Sequence, residues 1–326
     1  MKHIKQVVWN ILTILIVVAI LLLNLSRVYA SENIDNTIVT NVYASKNLET
    51  GVESTETFSY SKKSRSGNLS TENYIPEGLQ DVANARKIIG GDERIKLTPD
   101  QCAHYSPYAN VCKIITTFPD GICYGTAVIR AKDAALTAGH CVYNPRLGGW
   151  CISILVIPGQ NESDSEDIDS QPFGTVWGRQ AWTSTDYMKT LSDDEDWGLI
   201  ELNEMKGLEC GYIGITACED LPSLVYDTHV TVTGYPNPEG AVFGYNAQYL
   251  EKGPIRGVTS KRFFYDIDTE KGQSGSPIYY YDYRWNIVGI HTRGWDKNDS
   301  GLDKQWNSGV KINRDRYEFF ITKRTE

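Results

Sequence analysis

Two short segments, far apart in the sequence, each present one reactive side chain among small residues. Leu136–Cys141 contains His140, and Gly272–Pro277 contains Ser274. A serine hydroxyl is a weak nucleophile unless an adjacent base takes its proton, and an imidazole with an ordinary pKa of about 6.5 suits that task. The two segments therefore indicate nucleophilic catalysis in which Ser274 attacks and His140 carries the proton.

A histidine base needs a third group that fixes its tautomer and stabilises the imidazolium. Asp196 is the candidate, because it ends the acidic cluster Asp193–Asp196 and is followed by the apolar run Trp197–Leu202. We expect Asp196 to enter the fold while the neighbouring acids remain solvated. The alternative is a fully solvated acidic turn.

Glycines flank the candidate nucleophile. Gly272 and Gly275 can adopt backbone conformations that other residues avoid. This freedom would let the backbone N–H groups of Gly272 and Ser274 converge on a developing oxyanion, where each donor is worth about 3 kcal/mol of barrier. Without the other two motifs, the same residues would be read as an ordinary Gly/Ser turn.

The chain order His140, Asp196, Ser274 separates this arrangement from other serine hydrolases. Subtilisins run Asp, His, Ser; α/β-hydrolases run Ser, acid, His and need glycine where this chain has Ser276. The order, together with the segments Thr137–Cys141 and Gly272–Pro277, resembles the chymotrypsin-like serine proteases from about residue 88 to the C-terminus. The resemblance implies two antiparallel barrels of the six-stranded type with the site between them.

Short strands after Ile88 fit an all-β fold, since they are rich in Val, Ile, Thr and Tyr and are separated by Gly, Pro, Asn and Asp. A short helix is predicted near residues 315–325. The predicted strands include Lys113–Thr117, Gly125–Ile129, Ala134–Thr137, Ile152–Ile157, Gly198–Leu202, His229–Gly234, Ser276–Tyr280 and Trp285–His291.

Specificity has conflicting signals. Asp268, six residues before Ser274, alone predicts cleavage after Lys or Arg, as in trypsin-like enzymes. Thr269 and His291, however, resemble the Thr or Ser and the His with which bacterial glutamyl endopeptidases bind the substrate Glu carboxylate, and Ile89–Arg94 resembles that family too. An Asp before the Thr also occurs there, so Asp268 need not face the pocket. The alternative for His291 is a hydrogen-bonded histidine packed under the barrel.

A hydroxyl and an imidazole can satisfy a buried substrate carboxylate without an arginine. The leading hypothesis is thus a secreted serine endopeptidase that cuts after Glu, with Asp as a further option. One alternative keeps the fold and triad with Lys/Arg or broad specificity. Another is a secreted, catalytically inactive binding domain, although such relatives commonly lose a triad member and none is missing here. No motif indicates a metal or organic cofactor; the expected partners are protein and peptide substrates, and the expected state is a monomer.

Residues 1–30 read as an export signal. Lys2 and Lys5 precede an apolar run, and Val28–Ala30 offers a small-residue cleavage site. An uncleaved membrane anchor is the alternative. We expect cleavage, secretion and no membrane association afterwards.

Residues 31–87 read as a propeptide, because this polar segment has few large apolar residues to bury by itself. The protease domain then spans residues 88–326. A cut after Arg86 would leave Lys87 first, and a cut after Lys87 would leave Ile88 first. Either cut follows a basic residue, so we expect a separate basic-specific protease to activate the precursor.

Seven cysteines lie between Cys102 and Cys218, which fits an oxidising compartment. The spacing makes Cys102 with Cys112, and Cys210 with Cys218, plausible short-loop pairs. Sequence alone does not determine the connectivity.

The resemblance implies one further bridge. In chymotrypsin-like folds a disulfide ties the strand before the histidine to the histidine loop, which corresponds here to Cys123 and Cys141. Cys151 is then the expected leftover, as a buried and inert thiol.

Charge excludes one class of partner. The chain carries a formal net charge of −9, and the part from Ile88 onward holds 23 Lys and Arg against 33 Asp and Glu. Such an acidic chain has no general attraction for nucleic acid. The acidic run Glu162–Asp169 could bind calcium, but it lacks an EF-hand pattern and is expected to be a solvated loop.

Overall fold

The computed structural model describes residues 37–62, 69–77, 79–81, 94–162, 170–218, 228–237, 246–296 and 298–323. The predicted export signal, the cleavage points at Arg86 and Lys87, and residues 163–169 of the acidic run lie outside the described residues. One compact unit joins Asn41–Phe58 to the part from Gly67 onward, and a second contains the outer ends of the hairpin described below, at 37–40 and 59–62.

The described residues form nineteen strands and four α-helices. The first thirteen strands are β1 (Thr37–Asn47), β2 (Glu53–Lys62), β3 (Gln80–Asp81), β4 (Ile95–Lys96), β5 (Tyr105–Ser106), β6 (Val111–Phe118), β7 (Gly121–Ala131), β8 (Ala134–Thr137), β9 (Tyr143–Asn144), β10 (Gly149–Trp150), β11 (Ser153–Pro158), β12 (Val176–Ser184) and β13 (Gly198–Leu202). The others are β14 (His229–Gly234), β15 (Tyr249–Val258), β16 (Arg262–Tyr265), β17 (Pro277–Asp282), β18 (Arg284–Arg293) and β19 (Asn307–Lys311). The helices are α1 (Pro99–His104), α2 (Thr185–Thr190), α3 (Gly207–Cys210) and α4 (Arg314–Thr322).

The first barrel has the antiparallel strand order β11-β6-β7-β8-β13-β12. It closes where the start of β12 returns to β11, with Leu155 opposite Trp177 and Val156 opposite Val176. Its interior is filled by fully buried aliphatic side chains from successive strands, including Ile114, Ala127, Ile129, Ile154 and Ile200.

The second barrel has the order β14-β17-β18-β19-β16-β15, closed by the pairing of β14 with β15. Its core includes Val232, Ile255, Phe263, Ile278 and Val288. The predicted all-β architecture of two closed six-stranded barrels with a short C-terminal helix is therefore confirmed.

A hairpin from the predicted propeptide extends the first barrel. Strand β1 runs antiparallel to β12 beyond the closing pairs, from Tyr43 opposite Ser184 to Asn47 opposite Gln180. Tyr43 is only 5% exposed. The polar composition of residues 31–86 did not predict this burial, because it depends on backbone pairing with a strand far away in the sequence.

All seven cysteines are free thiols in the structure, so the predicted Cys123–Cys141 bridge is absent there. The Cys141 sulfur lies instead 3.9 Å from the carbonyl oxygen of Ser274. The two thiols are near enough to interact, since Cys141 adds to the effect of burial in raising the pKa of Cys123.

The two predicted short-loop disulfides, Cys102 with Cys112 and Cys210 with Cys218, would join cysteines from different parts of the core. Cys112 and Cys210 share the first-barrel core, whereas Cys102 and Cys218 lie in two other hydrophobic clusters. Burial raises the pKa of Cys112, and Cys210 raises it further. The cysteines of each predicted short-loop pair thus lie in different hydrophobic clusters, and Cys112 has Cys210 as its neighbour instead.

Candidate active site

Two adjacent strands bring the histidine and the acid together. His140 lies in the 3₁₀ turn Gly139–Cys141 that follows β8, and Asp196 directly precedes Trp197 and β13. Thr137 at the end of β8 pairs with Gly198 at the start of β13. Because antiparallel partners are in register at this point, the two segments leave the sheet side by side.

Both carboxylate oxygens of Asp196 contact His140. His140 Nδ1 lies 2.7 Å from Asp196 Oδ2, and the His140 backbone N–H donates to Asp196 Oδ1 at 2.8 Å. A Cβ atom at Gly139 would lie 2.9 Å from Asp196 Oδ1, so only glycine leaves room for the carboxylate. The carboxylate therefore orients both the imidazole and the turn that carries it.

Burial and charge act on His140 in opposite directions. Burial lowers its pKa, but the nearby Asp196 carboxylate raises it, and the net pKa lies well above the ordinary value. The side chain of Asp196 is only 7% exposed, whereas that of His140 is 31% exposed. A buried anion beside a partly open imidazole favours the imidazolium that a general base becomes after it takes a proton.

The Ser274 loop contacts the first barrel from the second. The backbone N–H of Thr126 donates to the Ser274 carbonyl at 2.8 Å, and the Thr126 hydroxyl donates to the Gly272 carbonyl at 2.9 Å. Cys141, the residue after His140, also lies against the Ser274 carbonyl. The structure therefore brings the nucleophile loop beside the histidine turn.

Both glycines around Ser274 have left-handed backbone conformations, with φ of +91° at Gly272 and +93° at Gly275. A Cβ at Gly275 would overlap the Thr126 carbonyl. The Gly275 N–H donates to the His291 carbonyl at 2.8 Å. Within the described residues, the N–H groups of Gly272 and Ser274 donate to no backbone carbonyl.

Two of the three acids before Asp196, Asp193 and Glu195, are paired, which corrects the expectation that they stay solvated. The side chain of Glu195 is 16% exposed, and it accepts from Lys261 Nζ at 2.6 Å and from Arg316 at 3.3 Å. Asp193 binds Arg293, which also pairs with Asp299 at 2.6 Å. Burial alone would raise the pKa of Glu195, but Arg316 and Lys261 hold it below the ordinary value.

Arg316 connects this acidic loop to the second barrel and was not predicted from the sequence. Its side chain is 3% exposed. It donates to the carbonyls of Lys311 at 2.6 Å and Lys261 at 3.1 Å, and to the carbonyl of Asp194. No sequence signal marks it, because these partners lie up to 122 positions away.

His291 is buried at 3% exposure on strand β18. The Tyr265 hydroxyl lies 2.5 Å from His291 Nδ1. Burial, with a further contribution from His140, lowers the pKa of His291 to about 3, although a backbone hydrogen bond with Ser308 opposes the shift. The imidazole is therefore neutral at pH 7. Charge repulsion from His140 is part of the reason, so the two histidines interact electrostatically.

Thr269 and Asp268 precede the nucleophile loop. Thr269 is half-buried and Asp268 is exposed. The Asp268 backbone N–H donates to Glu251 at 2.7 Å, and Glu270, which follows Thr269, pairs with Arg94 at 3.2 Å. The Asp268 side chain is thus not a buried acid.

Other features of the chain are outside this region. Glu162, at the described start of the acidic run, pairs with Lys96 at 2.7 Å. Among the described residues, no group of three or more His, Cys, Asp or Glu side chains is arranged to hold a metal ion. No helix in the same residues combines the length and hydropathy needed to cross a bilayer.

Two closed antiparallel barrels, with a histidine–carboxylate pair on one and a glycine-flanked serine loop from the other, define a chymotrypsin-like serine protease fold. The trypsin family model matches residues 102–313, and the chain belongs to this family.

Similar proteins point in the same direction. The chain is 29% identical over 239 residues to a glutamyl endopeptidase of Bacillus licheniformis, covering 72% of this chain and 67% of that protein. It is 28% identical over 232 residues to a Bacillus subtilis protein named extracellular metalloprotease, covering 70% and 66%. A solved Glu endopeptidase in complex with MPD superposes with a TM-score of 0.59 at 25% identity, covering 72% of this chain and 98% of that one. The chain thus spans about two thirds of these curated relatives.

Proposed function

We propose that this protein is a secreted serine endopeptidase that uses His140, Asp196 and Ser274 and prefers Glu before the scissile bond. The observation that carries the proposal is the double contact of Asp196 with His140, through the ring at 2.7 Å and the backbone at 2.8 Å. A carboxylate that fixes the tautomer and position of an imidazole is what a histidine base requires.

The reaction proceeds through an acyl-enzyme. His140 takes the hydroxyl proton as Ser274 Oγ bonds to the substrate carbonyl carbon, and the carbonyl oxygen becomes an oxyanion facing the N–H groups of Gly272 and Ser274. His140 then gives the proton to the leaving amine as the C–N bond breaks. Water then loses a proton to His140 as its oxygen bonds to the ester carbon. The bond from that carbon to Ser274 Oγ breaks, His140 returns the proton to Oγ, and the new carboxylic acid leaves.

His291 and Thr269 are the residues that we propose bind the substrate Glu carboxylate and so set the preference for Glu. A neutral imidazole has one N–H, and with the Tyr265 hydroxyl donating to Nδ1 that N–H is on Nε2, where a substrate carboxylate would replace the backbone of Ser308 as its acceptor. The similarity to the Bacillus licheniformis glutamyl endopeptidase supports this specificity. The exposure of Asp268 counts against a trypsin-like pocket with a buried acid.

The precursor features belong to the same proposal. Residues 1–30 direct export, residues 31–87 form the propeptide, and a basic-specific protease cuts near Arg86 or Lys87. In the oxidising environment outside the cell, Cys123 and Cys141 form a bridge beside the histidine turn. The contribution of Cys141 to the raised pKa of Cys123 means that the two sulfur atoms are near each other, which supports this proposed pairing.

The first experiment compares the activated protein with its Ser274→Ala variant on a peptide library. We expect cleavage after Glu, and a loss of about 10⁴-fold or more in turnover with the variant, since the other triad members cannot replace the nucleophile. Cleavage after Lys or Arg would support the trypsin-like alternative. Equal activity in both proteins would refute the assignment of Ser274.

A second variant separates specificity from catalysis. In His291→Ala, cleavage of Glu peptides should fall at least tenfold more than cleavage of matched Gln peptides, because only the carboxylate loses a charged hydrogen bond. An equal loss for both substrates would remove His291 from the pocket and leave it as a packed barrel residue.

Activation can be tested separately. The purified precursor, incubated alone, should stay intact at Arg86 and Lys87, and a basic-specific protease should convert it. Cleavage there by the unmodified precursor, but not by a Ser274→Ala precursor, would show that the protein activates itself.

A further inference from the structure

The hairpin of β1 and β2 lies before the proposed activation cut but is built into the protease. Within the compact unit, the β1 backbone pairs with β12 over five residues, from Tyr43 to Asn47. Side chains add to this pairing, since Gln180 donates to the Ser45 hydroxyl at 2.9 Å and the Thr185 hydroxyl donates to the Val42 carbonyl at 2.8 Å.

Tyr43 anchors the hairpin in an aromatic cluster. Its ring centroid lies 3.9 Å from that of Phe319 on α4 and 5.4 Å from that of Trp197. Phe58 on β2 packs against the same Phe319, with centroids 5.8 Å apart. One buried and one partly buried hairpin aromatic, Tyr43 and Phe58, thereby pack against residues that belong to the protease.

Charge reinforces this attachment at the end of the chain. Lys323, just after α4, donates to Glu56 on β2 at 2.6 Å. Its ammonium group also lies 4.2 Å from the ring centroid of Trp182. The hairpin therefore contacts both β12 and the C-terminal helix.

A second stretch before the activation cut is docked independently. Ser70 and Tyr74 form antiparallel bridges with Thr216 and Tyr212. The Ala217 N–H donates to the Leu69 carbonyl at 2.8 Å, and the rings of Tyr74 and Tyr212 stack with centroids 5.4 Å apart. Release of the cut segment would require these contacts and the hairpin contacts to break together.

The buried partner of Tyr43 is adjacent to the candidate acid. Trp197 follows Asp196, it is fully buried, and its carbonyl accepts from the Thr183 hydroxyl of β12 at 2.7 Å. Strand β12 thus touches the hairpin on one side and the backbone after Asp196 on the other. A hairpin that stabilises β12 also stabilises the position of the acid.

We propose that after cleavage near Arg86 or Lys87 the segment with β1 and β2 stays bound as a second, noncovalent chain and supports Asp196. This inference rests on the proposed activation cut. The hairpin is a permanent part of the enzyme, and it binds to residues 180–184 of β12 and to α4.

The test uses the full chain with Ser274→Ala to prevent self-digestion and with Arg86-Lys87 replaced by the recognition sequence of a site-specific protease. After complete cutting, native gel filtration should recover the segment and the protease domain together in equal amounts by mass spectrometry. Denaturant should separate them. A segment that leaves a still-folded domain in native buffer would overturn the proposal, whatever the enzyme's activity.

Two variants of the cut protein make the test specific. Tyr43→Ala should raise the dissociation constant of the segment at least tenfold, because the anchoring ring is lost. Val52→Ala, at an apolar residue 61% exposed in the same hairpin, should change it less than twofold. Equal effects of the two would contradict the anchoring role.

If Tyr43→Ala fails to fold, Tyr74→Ala tests the second docked stretch instead, with the same expected weakening. A parallel measurement with Ser274 intact addresses the acid. Separation of the segment should lower kcat at least tenfold with little change in KM. Unchanged kcat after separation would refute the support of Asp196, whereas lack of peptidase activity before separation would instead count against the proposed function.

Discussion

At the scale of single residues, Asp196 performs two tasks with two oxygens. Oδ2 binds the imidazole of His140, and Oδ1 binds the backbone N–H of the same residue. Gly139 provides the space for this arrangement, because any side chain there would meet Oδ1. The sequence predicted the pairing of His140 with Asp196, but not the need for glycine between β8 and the histidine.

Replacing this acid should change the pH dependence of catalysis as well as its rate. His140 must be neutral to act as a base, so kcat/KM should rise with pH through a pKa above 6.5, the ordinary value that Asp196 raises. In Asp196→Asn the rise should move to lower pH, because the amide no longer favours the imidazolium, and kcat/KM should fall about 10⁴-fold.

The measurement is a pH–rate profile of both proteins with one Glu peptide, with Asp194→Asn as the control. Asp194 contributes its backbone carbonyl to Arg316, so its side-chain change should leave the profile in place. A profile that moves equally in both variants would mean that general charge, and not the direct contact, sets the pKa of His140.

At the scale of elements, α4 is a connector between the barrels. The Asn313 side chain accepts from the Arg316 N–H at 3.1 Å and begins the helix, and the Arg316 guanidinium in its first turn reaches the loop before Asp196. The planar guanidinium carries five N–H donors in a fixed fork, whereas the three donors of an ammonium group sit on one atom at the end of a flexible chain and cannot reproduce that geometry.

Arg316→Lys should therefore weaken both stability and catalysis. We expect a loss of about 2–4 kcal/mol in the free energy of unfolding, because Glu195 would keep its burial and lose part of its compensation. Turnover should fall at least fivefold with KM nearly unchanged, since Arg316 acts through the acidic loop and does not touch substrate.

Arg314→Lys is the matched control, because Arg314 lies on the same helix and pairs with Glu318 one turn later. The free energy of unfolding should fall less in Arg314→Lys than in Arg316→Lys, because the lysine ammonium can still pair with Glu318. Denaturant unfolding and steady-state kinetics measure both variants. Equal losses of stability and turnover in the two variants would show that the hydrogen bonds of Arg316 have no special role.

Sequence patterns identified strands more readily than their partners. Ala134–Thr137, Gly198–Leu202 and His229–Gly234 were predicted with the bounds observed, because turn residues and β-branched runs define them locally. The β1–β12 pairing joins residues more than 130 positions apart, and the contact of Arg316 with Glu195 spans 121. Neither leaves a local pattern, since backbone pairing and ion pairs depend on positions that only the closed barrels create.

At the scale of the whole molecule, buried titratable groups make the free energy of unfolding depend on pH. The pKa of His291 is about 3 in the fold and about 6.5 in an unfolded chain, so the unfolded state takes up the proton first as the pH falls. Glu195, with a folded pKa below its ordinary value, acts in the same direction at lower pH.

The free energy of unfolding should consequently decrease from pH 6.5 toward pH 3, with His291 contributing up to about 1.4 kcal/mol per pH unit. Stability from this group is complete above pH 6.5. In His291→Gln the slope between pH 6 and pH 4 should become shallower, as measured by urea unfolding at fixed ionic strength. An unchanged slope would mean that His291 is not the group that takes up the proton.

The register of β1 on β12 has a further consequence for the molecule in solution. From Gln180 to Ser184, the hairpin occupies the side of β12 that the barrel leaves uncovered. An uncovered row of backbone N–H and carbonyl groups is a template for pairing with another molecule. A preparation stripped of residues 37–62 should therefore self-associate as its concentration rises, through strand-to-strand contacts at this rim.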